Sequence, residues 1–156
     1  MTRYPIIQSP MLDDIEHRLR PCPTYCHGFL GEDDRKLVQI LTEDQGTVHA
    51  LGLTHIGIAE RLRSLTEAAR GGWGDPELVD DKFFVEVHEI RGKLPCPWPH
   101  PGLYQKGFAR LENIKTGEKL VWTELSIHLI GEHGFYEGKG SPYRLDPKDL
   151  KRILEL

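Results

Sequence analysis

The sequence predicts an α+β fold in which a small antiparallel three-stranded sheet is covered on one face by helices. Two observations lead to this prediction. Apolar residues recur at helical spacing in several segments, and a central stretch alternates apolar and polar residues as strands do. The predicted order of elements is α-α-α-β-β-β-α-α, without the regular strand–helix alternation of a parallel sheet. A chain of 156 residues has a common size for one domain, so we expect residues 1–156 to form a single globular domain.

Three helices are predicted before the sheet. Ser9 followed by Pro10 is typical of a helix N-terminus, because the serine can cap the first turn and proline needs no hydrogen-bond partner there. The acidic residues 32–34 favour the positive end of a second helix. The clearest apolar stripe predicts one unbroken helix over 54–70, capped by Thr54.

The strands are predicted at 82–90, 107–113 and 118–122, the last two joined by a hairpin turn. Thr123 and Asp146 are suitable N-terminal caps for the two helices that follow. Periodicity then predicts a buried core that includes Leu62, Leu65, Val85, Val87, Leu125, Leu129 and Ile153.

Composition limits the location and the partners of the chain. The formal net charge is −4 and no basic stripe stands out, so no nucleic-acid partner is expected. The N-terminus lacks the apolar run of a secretory signal, and no stretch has the length of a membrane span. We therefore expect a cytoplasmic protein with no membrane association. The three cysteines, an odd and low number, are expected to be free thiols.

Cysteine and histidine occur together in two proline-rich loops. Cys96 and His100 lie in one loop, and Cys22, Cys26 and His27 lie in the other. Zinc prefers thiolate and imidazole ligands, and prolines would keep each loop stiff. Neither loop has the usual CxxC spacing, so the alternative is that these cysteines are small buried hydrophobic residues.

A second pair of histidines, His128 and His133, lies on the helix after the last strand. Five residues correspond to about 140° of rotation on a helix, so their rings are not expected to share a face. The spacing also differs from the i, i+4 pair of zinc metalloproteases. A structural role for both residues is the alternative, since a histidine is favoured at a helix C-terminus.

The loop 134–144 combines glycines, tyrosines and cations, and such a loop could bind an anion. The predicted ligand-binding residues are His128, His133, Lys139 and Arg144, with Tyr136 or Tyr143 as an aromatic wall. The alternative is a surface loop whose cations pair with Glu132, Glu137 or Asp146.

Two functions remain open from the sequence. The first is a binding module that holds a small anionic ligand or an acidic protein segment in the loop 134–144. The second is a zinc-dependent hydrolase in which Glu132 or Glu137 acts as the base. Its metal ligands would be Cys96, His100, His128 and His133. The sequence indicates neither the ligand or substrate nor the oligomeric state.

Overall fold

The structure is a computed structural model that describes residues 5–22 and 28–156. Within these residues it contains five α-helices, a four-stranded antiparallel sheet and a separate two-stranded hairpin. The α+β class is confirmed. The predicted three-stranded sheet is wrong in detail, because the structure adds one edge strand and the hairpin.

The helices are α1 (Pro10–Leu19), α2 (Leu37–Ala50), α3 (His55–Ala69), α4 (Glu124–His133) and α5 (Pro147–Leu154). The strands are β1 (Glu77–Val79), β2 (Phe83–His88), β3 (Lys93–Pro95), β4 (Leu103–Gln105), β5 (Phe108–Asn113) and β6 (Lys119–Thr123). A turn of 3-10 helix, Arg70–Gly72, follows α3.

The helix ends follow the capping chemistry of the sequence with one exception. The hydroxyls of Thr54 and Thr123 accept the backbone N–H groups that open α3 and α4. Helix α2 begins at Leu37 and not at the acidic residues 32–34. Asp33 is instead buried in the preceding loop, where it accepts the backbone N–H of Lys139 at 3.0 Å.

The sheet has the order β1-β2-β5-β6, and every neighbouring pair is antiparallel. One face buries Phe83, Val85, Ala109, Leu111, Leu120 and Trp122. Helix α3 packs against β1 and β2, and α4 packs against β4 and β6. The other face leaves Leu78 and Phe84 exposed on β1 and β2.

Six residues of the predicted core are buried: Leu62, Leu65, Val85, Leu125, Leu129 and Ile153. Val87 is only partly buried, so its predicted burial is wrong. Its side chain lines a cavity between α3 and the hairpin. Besides the core on the buried face of the sheet, a second apolar cluster packs residues of α1, α2 and α4 against Cys96 and Trp98. This cluster holds the hairpin loop against α4.

Among the described residues, no helix combines the length and the apolar character needed to cross a bilayer.

Candidate metal centre

The loop between β3 and β4 positions Cys96 and His100. The hairpin pairs Pro95 with Leu103, so residues 96–102 form its connection. Four prolines at alternate positions from 95 to 101 fix φ along this stretch. Cys96 is only 7% exposed because it packs in the second apolar cluster. The loop therefore presents the thiol and the imidazole from a stiff backbone.

Helix α4 supplies His128 and His133, the latter at its last residue. Gly134 ends the helix at φ +61°, and a Cβ there would lie 2.8 Å from Nε2 of His55. The two histidine rings have centroids 5.0 Å apart, so they meet although five residues on a helix place their Cβ atoms about 140° apart. The histidine side chains are long enough to bridge this angle, and both rings contact His100 of the hairpin loop.

Four potential ligand atoms converge at this point, one each from Cys96, His100, His128 and His133. All four lie within 4.8 Å of one another. Nε2 of His100 is 3.1 Å from Nε2 of His128 and 3.2 Å from Nε2 of His133. Sγ of Cys96 lies 3.4 Å from Nε2 of His133. The structure thus brings together the four residues of the zinc interpretation, and this group could hold a metal ion.

Three of the six separations among these four atoms are close to the edges of a tetrahedral metal site. Zinc–nitrogen bonds of about 2.05 Å and a zinc–sulfur bond of about 2.3 Å place nitrogen ligands about 3.3 Å apart. The same bond lengths place sulfur about 3.6 Å from each nitrogen. The observed distances of 3.1 to 3.4 Å are slightly shorter. The other three separations do not exceed 4.8 Å, so small adjustments of the side chains would bring all four atoms to tetrahedral distances.

The surrounding residues orient the four side chains. Trp98 stacks on the ring of His133 with centroids 4.4 Å apart, and its backbone N–H donates to Sγ of Cys96 at 3.4 Å. Nδ1 of His100 lies 2.9 Å from the carbonyl oxygen of Pro101, so an Nδ1–H donor there leaves Nε2 unprotonated. The ring of Tyr104 stacks on that of His128 with centroids 4.3 Å apart, and its hydroxyl lies 3.0 Å from Nδ1 and 3.2 Å from Nε2 of His128. The contact between His100 and the carbonyl of Pro101 is of the outer kind that is typical of histidine metal ligands.

The surroundings of His128 and His133 favour the neutral form of these two imidazoles. Burial, followed by the neighbouring His128 and His100, lowers the pKa of His133 to about 4. Burial and the nearby His100 also lower the pKa of His128, whereas burial raises the pKa of the Cys96 thiol. At neutral pH the rings of His128 and His133 are therefore uncharged, so each can offer a nitrogen lone pair to a cation. A cation would satisfy these lone pairs and displace the thiol proton.

Comparison with known proteins gives no relative: no protein-family model, no curated protein and no solved structure matches this chain. The chemistry of the site must therefore be inferred from its own geometry.

The other predicted metal loop lies largely outside the described residues, which exclude both Cys26 and His27. Cys22 is described, and it is exposed and free. Cys96 is also a free thiol, which agrees with the expectation for these two cysteines.

Arg144, a predicted anion-binding residue, has acidic partners within the chain. Its guanidinium donates to both carboxylate oxygens of Asp44, at 2.9 and 3.0 Å, and to the carbonyl oxygen of Glu137 at 2.6 Å. Asp146 lies 3.6 Å away. The side chains of Arg144 and Asp44 are only 10% and 7% exposed, so the pair is largely withdrawn from solvent.

The remaining predicted ligand-binding residues are dispersed. Tyr136 is buried and its hydroxyl lies 2.8 Å from Nδ1 of His55, whereas Lys139 and Tyr143 are exposed. A Cβ at Gly138 would collide with the carbonyl oxygen of Leu30. A glycine is therefore needed here so that the backbone of Leu30 can pack against residue 138. The anion-binding loop 134–144 therefore remains a prediction, and the described contacts explain several of its residues without a ligand.

Glu137 is predicted to make stability depend on pH. It is 7% exposed, and burial raises its pKa to about 7 although Ser141 and Arg144 oppose the shift. Between its ordinary pKa of 4.5 and about 7, the folded state binds more protons than the unfolded state. The contribution of Glu137 should therefore fall as pH rises, by about 3 kcal/mol across this window.

Urea unfolding of the wild type and Glu137→Gln between pH 4.5 and 8 measures this contribution as the difference between the two curves. Glu60→Gln, a change at an exposed position of α3, is the control and should leave the pH profile unaltered. Parallel profiles for the wild type and Glu137→Gln would show that the carboxyl does not titrate in this range.

Sequence reasoning missed Trp98 and Tyr104 as supporting residues of the centre. The signal for Trp98 was its position between Cys96 and His100 in a proline-rich loop. Tyr104 had no signal, because its contact with His128 depends on the hairpin that the sequence did not predict.

Proposed function

We propose that this chain is a zinc-binding protein whose ion is held by Cys96, His100, His128 and His133. The observation that supports the proposal is the convergence of four ligand atoms within 4.8 Å. One thiolate with three imidazoles is a set that zinc accepts in tetrahedral geometry. The stiff loop and the end of α4 hold these side chains near that geometry before any ion binds.

The role of the ion is structural. Four protein ligands complete a tetrahedral shell, whereas catalytic zinc sites keep one position open for water. The hairpin β3–β4 has only three residues in each strand, and an isolated two-stranded hairpin is marginally stable. The ion would fasten this hairpin to α4, as part of a fold that also contains the apolar cluster around Trp98.

The hydrolase interpretation has weaker support. It needs one ligand to give way to water and a carboxylate to act as base. Glu137, one candidate base, is buried, and its carboxyl group accepts a hydrogen bond from the hydroxyl of Ser141 at 2.8 Å. Glu132 is exposed on α4, and its negative charge partly opposes the lowering of the His128 pKa. The closed set of four ligands therefore favours the structural centre.

Metal analysis of the purified chain tests the proposal. We expect one zinc ion per chain, retained through gel filtration, in the wild type and in Cys22→Ser. The variants Cys96→Ser and His133→Ala should lose the ion, because each removes one ligand. A wild type without stoichiometric zinc, or variants that retain it, would contradict the proposal.

A further inference from the structure

A cavity of about 520 Å³ lies beside the metal centre, between the C-terminal half of α3, the end of β2 and the start of α4. Small-molecule sites typically enclose about 300–1,000 Å³. The cavity is lined by residues of α3, β2, β4, β5, β6 and α4, and Tyr104 and His128 form the side toward the hairpin. Its size is therefore suitable for a small organic molecule.

The floor of the cavity is apolar. Trp122, Ala109 and Ile127 line it, and these side chains are between 0% and 5% exposed as residues of the core. Val87 and Phe108 extend the apolar surface toward the opening, and both are partly buried. An aromatic or aliphatic group that entered would lie over this floor and cover the exposed parts of Val87 and Phe108, and it would gain from their removal from water.

The rim carries three arginines and three glutamates, and within the described residues two of these arginines have no carboxylate partner. Arg70 pairs with Glu67 and Glu89, each at 3.1 Å. Glu124 accepts the backbone N–H of Gln105 at 2.7 Å. Arg63 and Arg91 also line the cavity and are exposed.

Within residues 5–22 and 28–156, neither of these two arginines lies within salt-bridge distance of a carboxylate. The formal charges of the rim balance, and among the described residues these two arginines are the cations left without a carboxylate partner above the apolar floor.

From this arrangement we infer that the cavity binds a small molecule with an apolar, ring-sized body and one anionic group, a carboxylate, sulfonate or phosphate. The body lies on Trp122 and Ile127, and the anionic group accepts charge-assisted hydrogen bonds from Arg63 and Arg91. This site goes beyond the proposed zinc centre, since both arginines and the floor belong to α3, α4, the sheet and the turn after β2. It also differs from the loop 134–144 that the sequence indicated.

Two dyes with the same rings test the inference in the protein as purified. The anionic probe is 8-anilinonaphthalene-1-sulfonate, and the neutral probe is N-phenyl-1-naphthylamine, which lacks the sulfonate. We expect saturable binding of one anionic dye per chain, and weaker binding of the neutral dye. The double variant Arg63→Gln/Arg91→Gln should weaken the anionic dye about tenfold or more and leave the neutral dye unchanged.

Two control variants distinguish the cavity from general surface charge and from the open face of the sheet. Lys148→Gln/Arg152→Gln removes the same charge from α5 and should leave both dyes unaffected. Leu78→Ser/Phe84→Ser removes exposed apolar side chains from the open face of the sheet and should also have no effect. Circular dichroism in the near ultraviolet checks that each variant keeps its packing.

Three results would overturn the inference: no saturable binding of the anionic dye, equal losses in the two charge variants, or loss of binding in Leu78→Ser/Phe84→Ser alone. The zinc content of each variant is measured in parallel. If the wild type retains zinc but does not bind the dye, the cavity inference fails and the zinc proposal stands. If the wild type lacks zinc but binds the dye, the zinc proposal fails and the cavity inference stands.

Discussion

Removal of zinc by a chelator is expected to lower the free energy of unfolding by about 4 kcal/mol, relative to protein in free zinc a thousandfold above the dissociation constant. The physical reason is that the ion binds the folded arrangement of Cys96, His100, His128 and His133, which the unfolded chain does not hold together. Urea unfolding with and without chelator measures the difference, with a reductant present to keep the thiols free.

Matched cysteine variants provide the control for this experiment. Cys96→Ser should unfold at the same urea concentration with and without zinc, because a ligand is missing. Cys22→Ser should keep the full response, since Cys22 is exposed and lies on α1's C-terminal side, outside the group of four ligands. Equal stability of the wild type in zinc and in chelator would contradict a structural role for the ion.

Arg144→Met is expected to destabilise the fold by about 3–5 kcal/mol, because it leaves the carboxylate of Asp44 buried without its partner. The two side chains are 10% and 7% exposed and share two hydrogen bonds. In the double variant Asp44→Leu/Arg144→Met the unpaired charge is gone, and part of the loss should be recovered. Urea unfolding at pH 7 gives each value.

Arg152→Met is the matched control for the arginine. Arg152 also pairs with two carboxylates, those of Glu118 and Asp149, but it lies exposed on the surface and its removal should change stability little. If Arg144→Met were as harmless as Arg152→Met, the pair with Asp44 would not be structural. Arg144 would then again be available for the predicted anion site.

Much of the helical structure could be predicted because its signals are local. Thr54, Thr123 and Asp146 cap helices with contacts to residues two or three positions away. The strands β2, β5 and β6 also follow from alternation along the chain. The signals fail for β1, which has only three residues, and for β3, which ends at Pro95. Proline is disfavoured inside strands, so the pattern of this segment indicates a loop.

The candidate site was predictable in its chemistry but not in its geometry. Cys96, His100, His128 and His133 are zinc-ligand types, yet their convergence depends on the hairpin's packing against α4. The spacing of the two helical histidines argues against their meeting. Sequence proximity suggests acidic neighbours as partners of Arg144, whereas its main partner lies 100 positions away. The cavity draws its walls from six elements, so no single segment carries a signal for it.

X-ray absorption at the zinc edge of the purified protein tests the proposed centre most directly. The proposal predicts one sulfur ligand at about 2.3 Å and three nitrogen ligands at about 2.0–2.1 Å, in four-coordinate geometry. Cys96→Ser should lose the sulfur contribution, and Cys22→Ser should keep it. A wild-type spectrum without sulfur, or with water completing a set of three protein ligands, would contradict the closed Cys96, His100, His128 and His133 centre.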